Sequence, residues 1–293
     1  MTIKNFLGTV NSLDLGCLDE MASEASPILI FGGPYSNLAA TEAIEQVAQQ
    51  QNIPPQQVIC TGDIIAYCAD AAETTDRIQR WGIPVVMGNC EESIAEGALD
   101  CGCGFDEGST CSLLSISWYN YALKQVNDDA RRWMGQLPRN IRFTLQGRSF
   151  HVIHGGIEQI NRFIFADSDA SLLEEEMAMT DADVVIGGHC GIPFARRTGD
   201  RHWLNAGVIG MPANDGTANS WYMLITPGPD AIKVSWHRLS YPAETSQQAM
   251  TDAGLNTPYR EALTSGLWPS IDLLPESQKA STGQRLELAD YMI

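Results

Sequence analysis

The strongest constraint in this sequence is a short apolar strand that runs into a glycine-containing turn, a pattern that occurs five times. The strands are ILIF, QVIC, IPVVM, SFHVI and ADVVI, and the turns that follow them are Gly32-Gly33, Thr61-Gly62-Asp63, Gly88-Asn89-Cys90, His154-Gly155-Gly156 and Gly187-Gly188-His189. Two helical segments, LAATEAIEQVAQQQ and AAETTDRIQRWG, alternate with the first three strands. Alternation of this kind is typical of a parallel or mixed sheet that is covered by helices.

The second half of the chain has a different pattern. The segments RHWLNAG, SWYMLITPG and AIKVSWHRLSY are rich in β-forming residues and predict a second sheet. From about residue 242 the sequence becomes helical in character. We therefore predict an N-terminal arm over residues 1–26, one domain with two sheets over residues 27–241, and a C-terminal helical extension over residues 242–293 that packs on the same domain.

Charge and composition restrict the possible partners. The 293 residues carry a net charge of −18, which repels phosphate backbones, so we expect no nucleic acid partner. No stretch approaches the roughly 20 apolar residues that span a membrane, and the first residues lack the apolar core of a signal peptide. We therefore expect a cytoplasmic protein with no membrane partner, while the sequence does not indicate an oligomeric state.

Four of the strand ends carry a residue that can coordinate a metal: Asp63, Asn89, His154 and His189. Any one of them alone is an ordinary turn or structural residue, but strand ends of an α/β sheet converge on one crevice. Two imidazoles, one carboxylate and one amide oxygen suit a divalent transition metal such as Mn, Fe, Co, Ni or Zn. One carboxylate leaves such an ion net positive, which favours a small phosphorylated or otherwise anionic substrate.

The blocks TGDIIAY, VVMGNCE, VIHGG, VVIGGHCGIPF and LNAGVIGMP resemble those of the calcineurin-like metallophosphoesterases, in particular the small bacterial and archaeal phosphodiesterase and protein-phosphatase branch. The resemblance covers roughly residues 27–240. It implies an α/β (α+β) fold, namely a four-layer αββα sandwich of two mixed β-sheets flanked by helices. It also implies hydrolysis of a phosphomonoester or phosphodiester at a metal centre.

Carried over residue by residue, the resemblance makes Asp63 the bridging aspartate of a two-metal centre. Asn89, His154 and His189 match the other ligands of the second metal, so that set is complete. Cys90 stands where the family has its catalytic histidine. The resemblance therefore assigns catalytic roles to Asp63, Asn89 and Cys90.

The ligand set of the first metal is incomplete. Its aspartate aligns with Gly33, its first histidine with Tyr35, and the last histidine of the G-H-x-H block with Gly191. We therefore predict one divalent transition metal rather than a pair. The positions that match the surroundings of the site are expected to form the substrate pocket, namely Gly33, Tyr35, Asn37, Glu91, Cys190 and Gly191.

Cysteines are concentrated near these blocks, and the segment LDCGCGFDEGSTCSLL contains Cys101, Cys103 and Cys111. These residues are either small buried side chains or a thiolate site, which would favour Zn, Fe or Cu(I). Three hypotheses follow from the sequence: a metal-dependent phosphoesterase with an altered mononuclear centre, an inactive metal- or anion-binding regulatory protein on the same fold, and a cysteine-assisted soft-metal or redox site.

Overall fold

A computed structural model describes residues 12–293. Its strands are β1 (Leu13–Cys17), β2 (Ile28–Phe31), β3 (Val58–Cys60), β4 (Ile141–Leu145), β5 (Arg148–Val152), β6 (Val184–Gly187), β7 (Phe194–Thr198), β8 (Arg201–Asn205), β9 (Ser220–Pro227), β10 (Ile232–Leu239) and β11 (Tyr291–Met292). Its helices are α1 (Leu38–Gln50), α2 (Ala71–Trp81), α3 (Asn89–Glu96), α4 (Thr110–Gln125), α5 (Asp128–Met134), α6 (Ala170–Ala178), α7 (Ala243–Asp252), α8 (Tyr259–Ser265) and α9 (Glu276–Ala280). None of these helices is long and apolar enough to cross a membrane.

The strands form two mixed sheets. One has six strands in the order β1-β4-β5-β6-β8-β7, and the other has five in the order β11-β10-β9-β2-β3. Parallel pairs such as β5 with β6 and β2 with β3 occur beside antiparallel pairs such as β4 with β5 and β2 with β9. This arrangement confirms the predicted fold of two mixed sheets flanked by helices.

Apolar side chains of both sheets meet in a common core. Ile28 and Ile30 of β2 pack there with Val152 of β5 and Ile186 of β6, and all four are fully buried. The outer faces of the sheets carry separate apolar clusters that include α1 residue Ile44 on one side and α6 residues such as Leu173 on the other. Helices therefore cover each sheet on the face that is turned away from the other sheet.

The predicted second sheet exists, but the β-rich second half of the chain does not form it alone. Strand β9 lies between β10 and β2 in the five-stranded sheet, while β8 pairs with β6 in the six-stranded sheet. The reason is burial: residues 220–225 of β9 are all buried, so this strand needs a neighbour on each edge to satisfy its backbone groups. Early strand β2 supplies one of those neighbours.

The predicted strand IPVVM is also wrong, because its residues form only an isolated bridge between Val85 and Cys60. Pro84 has no N–H to donate, and its carbonyl accepts from Cys60 at 3.0 Å. The Met87 N–H then leaves this pairing and donates to the carbonyl of Pro138 at 2.8 Å. The segment still leads directly into α3, so Asn89 reaches the edge of the sheet as expected.

Both predicted terminal segments contribute strands. Residues 13–17, within the predicted arm, form β1 and pair with β4, whereas residues 1–11 lie outside the described part of the chain. Strand β11, within the predicted C-terminal extension, pairs with β10. The division at residues 26 and 241 stays a prediction.

Candidate metal centre

The candidate metal ligands come from strand ends of both sheets and from the start of a helix. Asp63 follows β3 of the five-stranded sheet, His154 and His189 follow β5 and β6 of the six-stranded sheet, and Asn89 is the first residue of α3. The Nε2 atom of His154 lies at the centre of the group. It is 3.0 Å from Asn89 Oδ1, 3.0 Å from His189 Nδ1 and 3.3 Å from Asp63 Oδ2. All four side chains are buried.

Hydrogen bonds outside the group orient these atoms toward its centre. His154 Nδ1 donates to the carbonyl of Thr61 at 2.7 Å, which leaves the lone pair of the neutral ring on Nε2. Asn89 Nδ2 donates to the carbonyl of Cys101 at 2.9 Å, which turns Oδ1 toward His154. Atoms that carry lone pairs thus face one another in a buried space, and a cation between them would stabilise this arrangement. Two histidines, a carboxylate and an amide oxygen fit a divalent transition metal.

The histidines and Asp63 shift one another's pKa values. Burial alone would raise the pKa of Asp63, but His154, His189 and the N–H of Cys90 together lower it below its usual range. Burial alone would lower the pKa of His154, but the carboxylate of Asp63 outweighs that and raises it. Burial and then the neighbouring His154 lower the pKa of His189 to about 3. In the absence of metal, His154 is therefore the histidine of this group that holds an extra proton and carries the positive charge.

Metal binding should therefore depend on pH. Because the pKa of His154 is raised above 6.5 and a ligand imidazole must be neutral, a bound ion displaces a proton. We expect the apparent affinity for Mn²⁺ to be constant above that pKa and to fall about tenfold for each pH unit below it. Calorimetric titration of the metal-free protein over a pH series measures this slope. Equal affinity at every pH of the series would contradict the prediction.

Glu91 holds the loop that carries Asp63. Its Oε2 accepts the N–H of Asp63 at 2.8 Å and that of Gly88 at 2.9 Å, and its Oε1 accepts the N–H of Ile64 at 2.8 Å. Burial, followed by the charge of Asp63, raises the pKa of Glu91 to about 7. Asp63 itself has a φ of 56°, a left-handed conformation that the surrounding bonds must maintain.

Both oxygens of Glu91 are thus directed at backbone amides, and its place in the substrate pocket stays a prediction. The side chain of Asn37 is also held by hydrogen bonds within the protein, and its place in the pocket stays a prediction. Its Oδ1 caps α1 at the N–H of Ala40 and also accepts from the hydroxyl of Ser246. Its Nδ2 donates to the carbonyl of Gly210 and to the hydroxyl of Tyr241, so Asn37 has a structural role.

Side-chain carbon lies around the positions that match the ligands of the first metal. A Cβ atom placed on Gly33 would lie 2.5 Å from Cζ of Tyr35 and 2.7 Å from Cγ1 of Val208. A Cβ on Gly191 would lie 3.6 Å from the ring of Trp268. An aspartate at residue 33 would thus require the Tyr35 ring to move.

Among residues 12–293, one cluster of three or more acidic, histidine or cysteine side chains is able to hold an ion. It consists of Asp63, His154 and His189.

The predicted thiolate site stays a prediction, although two of its cysteines are oxidised in this structure. Cys101 and Cys103 are joined in a disulfide, and disulfide sulfurs are not thiolates. Cys111 is a separate buried cysteine, and burial raises the pKa of its thiol. The pair still contacts the centre, because the carbonyl of Cys101 accepts from Asn89.

Replacing both disulfide cysteines, as Cys101→Ser/Cys103→Ser, should leave the metal in place. The backbone carbonyl that orients Asn89 is retained, so we expect one ion per chain. The metal affinity should stay within about tenfold of that of the unaltered protein, which is the smallest loss typical of substitutions outside the ligand set. Elemental analysis together with a metal titration measures both quantities. Complete loss of the ion would contradict this prediction and indicate that the sulfur atoms of these two residues bind the metal.

A cavity of about 50 Å³ lies beside Asp63 and His189. Of the predicted pocket residues, Tyr35, Cys190 and Gly191 line it, whereas Gly33, Asn37 and Glu91 do not.

Cys90 is also absent from the lining of this cavity and is 1% exposed. Burial and the charge of Asp63 raise the pKa of the Cys90 thiol well above its ordinary value, so it stays protonated. Its catalytic role stays a prediction.

The fold agrees with comparisons to known proteins. A model of the calcineurin-like phosphoesterase superfamily domain matches residues 36–226, so the chain belongs to that superfamily. A metallophosphoesterase from Sphaerobacter thermophilus is 21% identical with a TM-score of 0.65, and the match covers 83% of this chain and 99% of that one. A hypothetical protein from Pyrococcus horikoshii is 15% identical with a TM-score of 0.69, over 82% of this chain and 98% of that one. No curated protein matches the chain.

Proposed function

We propose that this protein hydrolyses a phosphomonoester or phosphodiester with one divalent transition metal held by Asp63, Asn89, His154 and His189. The observation that carries the proposal is the convergence of the other three ligand atoms on His154 Nε2, within 3.0 to 3.3 Å of it. Mn, Fe, Co, Ni and Zn all suit this ligand set. The lack of acidic or histidine side chains at Gly33, Tyr35 and Gly191 favours one ion over two.

When bound, the ion would polarise a phosphoryl oxygen and lower the pKa of a coordinated water. The protein supplies the geometry. His154 and Asn89 are fixed by hydrogen bonds to backbone carbonyls, and Glu91 fixes the backbone of Asp63. Burial excludes water from the ligand side, whereas the cavity beside Asp63 and His189 leaves the other side open to a phosphate group.

A second candidate function is that of a metal- or anion-binding protein without catalysis. Two observations favour it: the Tyr35 ring takes the space of the first-metal ligand, and Cys90, at the position of the catalytic histidine, is buried with a protonated thiol. Under this hypothesis Asp63→Ala changes metal or ligand binding, and there is no basal hydrolysis to lose.

Turnover by the metal-loaded protein separates the two functions. We expect hydrolysis of 4-nitrophenyl phosphate or bis(4-nitrophenyl) phosphate that depends on added metal. Asp63→Ala and His189→Ala should each lower the rate at least about 100-fold, since each removes an ion ligand. A protein that holds one ion per chain and hydrolyses nothing in a broad phosphoester panel would contradict catalysis and support the binding function.

A further inference from the structure

Aromatic side chains form the outer wall of the cavity beside the metal centre. Tyr35, Tyr67 and Tyr259 line one side, with ring centroids 4.8 Å apart for Tyr35 and Tyr67 and 4.3 Å apart for Tyr67 and Tyr259. Phe163 lines the other side, and its ring lies 4.2 Å from that of the metal-centre residue His189. Phe105 stacks on Phe163 at 6.2 Å. The metal centre is thus bordered by π surfaces.

The cavity continues outward. A groove of about 250 Å³ shares four of its lining residues, namely Phe105, Cys111, Phe163 and Leu273. The inner cavity of about 50 Å³ is of a size for a phosphoryl group, whereas the groove has room for a planar ring against Phe105 and Phe163. An aryl group in the groove would therefore lie next to a phosphoryl group at the metal.

Part of this wall comes from outside the matched family domain. The match ends at residue 226, but Tyr259 and Trp268 line the inner cavity, and Leu273 lines both spaces. Trp268 is fixed in place, because its Nε1 donates to the carbonyl of Pro212 at 2.7 Å. The C-terminal segment thus adds an aromatic surface to the site.

The charges around the cavity limit the charge of the ligand. None of the described residues that line the inner cavity or the groove is lysine or arginine, and the groove contains the carboxylates Asp106 and Asp272. A divalent ion with one ligand carboxylate, Asp63, leaves a single positive charge. A phosphodiester monoanion would neutralise that charge, whereas a phosphomonoester dianion would leave an unpaired negative charge beside apolar walls, which is costly.

We propose that the groove is an aryl-binding subsite and that the preferred substrate is a phosphodiester monoanion with an uncharged planar aromatic substituent. The substituent stacks on Phe105 and Phe163, and the phosphoryl group enters the inner cavity. The substrate assignment rests on the proposed hydrolytic function, whereas the subsite itself is a binding property.

Three probes without a P–O–C bond test the subsite by calorimetry with the metal-loaded protein. Methylphenylphosphinate has one ring and one charge, dimethylphosphinate has one charge and no ring, and phenylphosphonate has one ring and two charges above neutral pH. We expect methylphenylphosphinate to bind at least about tenfold more tightly than dimethylphosphinate, because the ring buries apolar surface and stacks. It should also bind more tightly than phenylphosphonate. Equal binding of the two phosphinates, tightest binding of the phosphonate, or no binding of any probe would overturn the proposal.

Substitution of the stacking ring locates the subsite. Phe105→Ala should weaken binding of methylphenylphosphinate about five- to tenfold and leave dimethylphosphinate unchanged, while Phe105→Tyr keeps the ring and the affinity. Trp133→Ala is the matched control, since Trp133 is also a half-buried aromatic residue but lines neither space. Equal effects of Phe105→Ala and Trp133→Ala would contradict a local subsite.

The binding and turnover results distinguish the two proposals. Aryl preference in binding without turnover on any phosphoester would retain the subsite and reject the hydrolytic function. Turnover on phosphoesters without aryl preference in binding would reject the subsite alone.

Discussion

His154→Ala is expected to remove the bound metal and, with it, all metal-dependent hydrolysis. His154 Nε2 is the atom on which Asn89, His189 and Asp63 converge, within 3.0 to 3.3 Å. Changes outside a ligand set cost roughly 10- to 100-fold in metal affinity, so loss of this central ligand should cost at least about 100-fold. Titration with Mn²⁺, followed by elemental analysis after dialysis, measures the affinity and the residual metal.

His151→Ala is the matched control for this substitution. His151 is buried like His154 and lies three residues earlier, but its Nδ1 is hydrogen bonded to the hydroxyl of Thr180, away from the metal centre. We expect it to keep the ion while losing about 1–3 kcal/mol of stability from the broken buried hydrogen bond. Retention of metal by His154→Ala, or loss of metal from both variants, would contradict the assigned centre.

Glu91→Ala should cause the largest loss of stability among single substitutions near the site. It leaves the buried amides of Asp63, Ile64 and Gly88 without their carboxylate acceptor. Each unsatisfied buried donor costs about 1–3 kcal/mol, so we expect the free energy of unfolding to fall by at least about 3 kcal/mol. Urea denaturation of the metal-free protein measures this change without a contribution from metal binding.

Glu92→Ala is the control on the same helix. Glu92 forms a partly exposed ion pair with Arg139, and such pairs contribute about 0–1 kcal/mol. Because Glu91 also fixes the backbone of Asp63, only its substitution should weaken metal binding. If the two variants were equally stable, the carboxylate of Glu91 would not be the anchor of this loop.

The convergence of Asp63, His154 and His189 is the part of the site that the sequence predicts best. Each ligand follows a strand or opens a helix next to glycine, and those local features are encoded in short stretches such as TGD and GGH. The periodicity of α1 and α2 is equally local, and both helices form where the sequence predicts them. Local patterns also predict that there are two sheets.

Long-range contacts account for what the sequence does not predict. The pairing of β9 with β2 joins segments almost 200 residues apart, as the register of Ile28 with Ile225 shows. Strand propensity alone suggests IPVVM as a strand, but Pro84 and the bond from Met87 to Pro138 end the pairing. The carboxylate of Glu91 accepts hydrogen bonds from backbone amides, and these bonds form only because the Asp63 loop folds around it.

The aromatic wall is the clearest case of such dependence. In the sequence, Tyr35 stands out only because it replaces a histidine of the family pattern. The structure shows in addition that its ring fills the space beside Gly33. Trp268 lies far along the chain and has no motif around it, yet it reaches the vicinity of Gly191. The disulfide between Cys101 and Cys103 likewise depends on the conformation of a loop that the sequence left open between alternatives.

Anomalous diffraction from crystals loaded with Mn²⁺ tests the central claim most directly. The predicted result is one anomalous peak per chain within bonding distance of Asp63, Asn89, His154 and His189, with no second peak near Tyr35. A peak at another position, two ions in the site, or no peak in fully loaded crystals would contradict a mononuclear centre held by these residues.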